Sequence, residues 1–93
     1  MEINYLTQKI RDILTLLRKG SLDKAEHGLE GIYMHVEALD QSVEINAKAL
    51  ILCLKIEDYI KNKLYGENPD LDRLNDSYNE LLFLSNSSPI SPK

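Results

Sequence analysis

The sequence predicts an all-α fold, an antiparallel four-helix bundle or two stacked helical hairpins. Three observations carry that prediction. Apolar residues recur at spacings of three and four through nearly the whole chain, which is the period of a helix with one buried face. Glycine and proline fall almost entirely at the edges of those periodic segments. The connections between segments are short, which favours antiparallel neighbours. No stretch requires a strand.

Ile3, Leu6, Ile10, Ile13, Leu14 and Leu17 define the apolar face of a first helix. Gly20 is its expected stop, with Arg18 and Lys19 in the last turn where cations complement the negative helix end. Ser21 is the expected N-cap of a second helix, and Asp23 lies in its first turn. Leu22, Ala25, Leu29, Ile32, Val36 and Leu39 form its stripe.

Asp40-Gln41-Ser42 contains residues that prefer turns and caps, and a break is expected there. Because Val43, Ala47, Leu50 and Leu54 continue the second stripe in phase, one helix from Leu22 to Tyr65 is the competing reading. It would be roughly 66 Å long and would need a dimer to cover it.

The third segment, Val43 to Tyr65, is apolar nearly all round in its first half, so it is expected at the centre, surrounded by the others. Gly66 closes it. Asn68-Pro69-Asp70 is the strongest start signal, with Asn68 as cap and Pro69 at the first helical position. Leu71, Leu74, Tyr78, Leu81 and Leu82 then form the face of a fourth helix. Residues 1–84 are thus expected to form one helical domain, and the polar, proline-punctuated residues 85–93 a disordered tail.

Composition narrows the function. The 93 residues hold 11 Lys+Arg against 15 Asp+Glu, a net charge of −4. That balance lacks the cationic footprint of a nucleic-acid binder. The longest apolar run, Ala49 to Leu54, is too short to span a bilayer, and no signal-peptide pattern precedes the first helix, so a cytoplasmic chain is expected. A single Cys excludes an internal disulfide and a cysteine-based zinc site. Cys53 lies in the most apolar window and reads as a small buried hydrophobe. His27 and His35 are too far apart to form a ligand pair on adjacent helical turns, so no metal and no cofactor are expected. Paired catalytic carboxylates, a phosphate-cradling loop and a nucleophile–base arrangement are all missing from the pattern, and the chain is not expected to be an enzyme.

Charge placement is more informative than the total. The first helix is basic and the second acidic, as neighbouring antiparallel helices often are. Glu26, Glu30 and Glu37 with Tyr33 form one ridge, and Asp72, Asp76 and Glu80 form another. Both are candidate docking surfaces for another protein with a basic face. Gly28 and Gly31 cost helix stability, and Gly28 borders the stripe where a missing side chain admits a neighbouring helix.

Two local patterns resemble known families. Ala25-Glu26-His27-Gly28-Leu29-Glu30-Gly31 resembles the histidine-phosphotransfer motif, which implies a phosphoacceptor role for His27. Glu30 stands where that family has Lys, and both it and Glu26 would repel a phosphorylated imidazole. Gly20-Ser21-Leu22-Asp23-Lys24-Ala25 resembles the turn of a tetratricopeptide helix pair, with Leu29 and Ile32 at packing positions of that family. It implies a protein-binding role. In size and architecture the chain is also similar to bacteriocin immunity proteins. The leading expectation is a small helical protein–protein interaction module of adaptor, chaperone-like or regulatory type. An immunity-like protein and a phosphotransfer domain are the alternatives, and a homodimer is left open.

Overall fold

The computed structural model describes residues 3–38 and 43–87. Four helices account for the regular structure: α1 (Ile3–Arg18), α2 (Leu22–Glu37), α3 (Val43–Leu64) and α4 (Leu71–Ser87). No strand occurs among the described residues. α1 packs on α2, α2 on α3, α3 on α4, and α4 returns to α1. This closes a four-helix ring in which α1 and α3 are diagonal, as are α2 and α4.

α1 and α3 end as their glycines dictate. Gly20 has φ +82° and Gly66 φ +86°, a backbone region in which a Cβ is strained. At the first, the Ser21 N–H donates to the Leu16 carbonyl at 2.9 Å and the Gly20 N–H to Leu17 at 3.0 Å. At the second, Glu67 donates to Asn62 at 2.9 Å and Gly66 to Lys63 at 3.0 Å. Both are the Schellman pattern, which satisfies carbonyls the helix would otherwise leave bare.

The N-terminal caps differ from expectation. The Ser21 side chain makes no cap hydrogen bond; its contribution is the backbone carbonyl, which accepts from the Ala25 N–H at 3.0 Å. α4 begins at Leu71, and its cap is Asp70, whose Oδ1 accepts from the Asp72 N–H at 2.9 Å. A carboxylate in that position satisfies an orphan donor and meets the positive helix end, so Asp70 performs the role expected of Asn68.

The long-rod alternative is excluded. α2 ends at Glu37, and the Tyr33 hydroxyl donates to Glu57 Oε1 at 2.9 Å. Those two residues would stand about 36 Å apart on a straight helix. Leu39 and Asp40-Gln41-Ser42, where the break is expected, lie outside the described residues, as do residues 88–93 of the expected tail. α4 runs on to Ser87, past the expected boundary at residue 84, and the Ser85 hydroxyl bonds back to the Leu82 carbonyl at 2.9 Å.

Within the ring, Leu6, Ile10, Leu14, Ala25, Leu29, Ile32, Leu52, Ile56, Leu74 and Leu81 share one continuous core. Thr7 is buried with its hydroxyl satisfied by the Asn4 carbonyl at 3.0 Å.

The expectation for α3 is half corrected. Ile45, Leu52 and Ile56 are buried as expected, but the helix is not central. A member of a four-helix ring has two neighbours and one outward arc, and on that arc α3 carries Val43, Ala47, Leu50 and Leu54, with Ile51 beside them. Val43 is 85% exposed, Leu54 51% and Leu50 42%, so the residues that continue the second stripe in phase do not join the core.

Candidate functional site

The outward side of α3 is the most unusual surface of the molecule. Residues 43, 47, 50 and 54 recur at spacings of four, three and four, which places them in one stripe along the helix. It lies opposite Ile45, Leu52 and Ile56, so α3 is apolar on two faces. Burying the inner one exposes the other.

A groove of about 400 Å³ borders the stripe, lined by Tyr33, Val36, Glu37, Val43, Asn46, Ala47 and Leu50. Its floor is apolar, from Val36, Val43, Ala47 and Leu50. Its edges are polar. Tyr33 is half-buried, and its hydroxyl is held by Glu57, whose Oε2 lies 3.5 Å from Lys61 Nζ. Burial, followed by the bond to Glu57, pushes the Tyr33 hydroxyl well above the usual phenol range. The tyrosine is therefore a fixed neutral donor on the wall between α2 and α3.

The acidic candidates fall on two diagonal helices and do not line one groove. Glu26, Glu30 and Glu37 are exposed on α2, on the side that turns toward α3. Tyr33 leans from the same side into the α2–α3 seam. Asp72, Asp76 and Glu80 are exposed on α4. Glu80 pairs with Lys48 of α3, and the attached ammonium holds its carboxyl below the usual carboxylate range. Lys55 of α3 also donates to the Ser77 hydroxyl at 3.1 Å. The α4 ridge is thus partly occupied in joining α4 to α3. The basic and acidic faces of α1 and α2 do not pair with each other: among the described residues the ion pairs are Lys48–Glu80 and Lys61–Glu57.

Both histidines lie in α2. His27 is exposed on its outer face. His35 meets Tyr5 edge-on, with ring centroids 5.4 Å apart and planes at 88°, so it belongs to the α1–α2 seam. Gly28 faces α1 as expected: a Cβ there would lie 3.4 Å from Ile13 Cγ1. A Cβ at Gly31 would meet no neighbouring side chain or other helix within 4 Å. Cys53 is fully buried, and burial pushes its thiol up to about 12, which leaves it inert as a nucleophile at neutral pH. Among the described residues no group of three or more His, Cys, Asp or Glu is placed to hold a metal ion, and no helix is long and apolar enough to cross a membrane.

The outward stripe and its groove thus concentrate exposed apolar surface without a reactive side chain. No family model matches the chain, and no curated protein or solved structure matches it either.

The stripe is the feature that sequence reasoning missed. Its signal was present in the all-round apolar character of residues 43–56, which a four-helix ring cannot cover.

Proposed function

We propose that this chain is a small, non-catalytic, cytoplasmic protein–protein interaction module of adaptor, chaperone-like or regulatory type. Its contact face is the outward side of α3 together with the α2–α3 groove. One observation carries the reading: Val43, Leu50 and Leu54 stay exposed while the core beneath them is filled by Ile45, Leu52 and Ile56. An apolar stripe along one helix, edged by polar groups, suits an amphipathic partner helix. Glu37 at the groove edge and the exposed Glu26 and Glu30 favour basic residues flanking that helix's apolar side. The tetratricopeptide-like turn at Gly20–Ala25 points to the same class of role.

Photo-cross-linking tests the reading. With a photoreactive side chain at position 54, then at position 76 on α4, a discrete protein adduct is expected from the first and not from the second. Equal yields from both positions, or none from position 54, would refute it.

A further inference from the structure

We propose that the cleft between α3 and the start of α4 binds a small zwitterion, a molecule of amino-acid or dipeptide size that carries one ammonium and one carboxylate. The cleft shares no lining residue with the α2–α3 groove, so the site stands apart from the contact face proposed above.

The cleft is built at both ends. Its volume is about 420 Å³, within the range of small-molecule sites. At one end the Lys55 ammonium reaches across from α3 to the Ser77 hydroxyl at 3.1 Å. At the other, the turn into α4 supplies Pro69 and Asp70, and Asp70 is held in place by the bond that caps α4. Lys55 and Asn62 mark its length along α3, two helical turns or about 10 Å.

Its polar groups lack partners. Tyr59 is 7% exposed and lines the cleft with the buried Leu74. The Tyr59 hydroxyl has no hydrogen-bond partner among the described residues, and it is not sealed from solvent, so its partner must enter through the cleft. One turn further along α3, the half-buried Asn62 amide is likewise free among the described residues. Arg73 of α4 and Asp58 of α3 line the same cavity, yet pair neither with each other nor with any other described residue. A guanidinium and a carboxylate that share a cleft without meeting leave room for a ligand that meets both.

The charge of the lining selects the ligand. The cations Lys55 and Arg73 are matched by the carboxylates Asp58 and Asp70; Asp72, Asp76 and Lys61, though close in sequence, do not line the cavity. A plain anion bound at Arg73 would meet the two carboxylates, and a plain cation bound at Asp58 would meet the two basic groups. A zwitterion satisfies both pairs at once, with its carboxylate toward Arg73 and Lys55 and its ammonium toward Asp58 and Asp70. The Tyr59 hydroxyl and the Asn62 amide offer further neutral bonds, and the Tyr59 ring, Pro69 and Leu74 form an apolar bed for a side group.

The test is amide NMR of the full chain, titrated at neutral pH with leucine and with glycyl-leucine. Shifts confined to Lys55–Asn62 and Pro69–Leu74 are expected from at least one of them, with Kd on the order of 0.1–5 mM. Binding by leucine alone names a free amino acid as the ligand, and tighter binding of glycyl-leucine names a short peptide; either supports the site. N-acetylation or C-terminal amidation of the probe should each weaken binding about tenfold or more, since each removes one charge-assisted contact. Arg73→Gln and Asp58→Asn should each do the same from the protein side. Tyr59→Phe should weaken binding about three- to tenfold. None of these substitutions removes a bond within the fold among the described residues, so helical content should stay unchanged. The absence of localised shifts from both probes at about 20 mM would overturn the proposal. So would undiminished binding of the acetylated or amidated probe, or binding indifferent to Arg73→Gln and Asp58→Asn.

Discussion

The two faces of α3 are nearly equal in apolar character and opposite in fate. Leu52 is 1% exposed, while Leu54, two residues on, is 51% exposed. Side-chain chemistry does not separate them; their angular position in a ring of four helices does. The inner face meets α2 and α4 across the core, and the outer face borders α2 only along the groove and is otherwise left open among the described residues. Apolar residues at helical spacing therefore report that a face is to be covered, without saying whether the same chain covers it.

The largest expected effect is on the inner side. Leu52→Ala or Ile56→Ala should cost about 2–5 kcal/mol in urea unfolding, from lost transfer energy and the cavity left behind. The same change at Leu54 should cost about 1 kcal/mol or less when measured at low concentration, since half of that side chain is already in water. Equal costs at Leu52 and Leu54 would break the contrast between the faces.

The seam between the faces is tested at Tyr33. Tyr33→Phe removes its bond to Glu57 and should cost about 0.5–1.5 kcal/mol near neutral pH. Its raised native value also fixes a pH dependence. Below the ordinary phenol value of 10.0 the contribution is fully present, and it is lost as pH rises above that, because the unfolded chain ionises first. Cys53 acts in the same direction, between its ordinary 9.0 and about 12. Stability should fall at alkaline pH, and less steeply in Tyr33→Phe; identical slopes in both chains would count against a buried, bonded hydroxyl.

The smallest effects concern the outer surface of α2. Gly31→Ala should stabilise by up to about 1 kcal/mol, as open space surrounds that position. Gly28→Ala should gain less, because its new methyl must share space with Ile13 at 3.4 Å. A thermal melt of each checks the order.

Much of this architecture was legible in the sequence. Helix count, the core stripes of α1 and α2 and the stops at Gly20 and Gly66 follow from local rules, since each is settled within one turn of chain. The caps were less legible. Ser21 and Asn68 have the right chemistry, yet only Asp70 places a side-chain oxygen on a free N–H of the helix it precedes. The outer stripe was the hardest to read, because Val43, Ala47, Leu50 and Leu54 share their period with core residues. Only the closing contact between α1 and α4 reveals that α3 stands at the rim. Of the candidate site, the exposed acids of α2 could be placed on one face from spacing alone, but the bond from Tyr33 to Glu57 joins residues far apart in the chain and has no local signature.

The most direct test is thiol labelling with one cysteine at a time in a Cys53→Ala background. Leu54→Cys and Ile56→Cys chains would be compared by mass spectrometry under dilute native conditions. The account predicts that position 54 reacts nearly as fast as in the denatured chain, while position 56 is protected by orders of magnitude. Strong protection at both positions in a dilute monomer would mean that the chain wraps α3 completely, and the bare face would not exist.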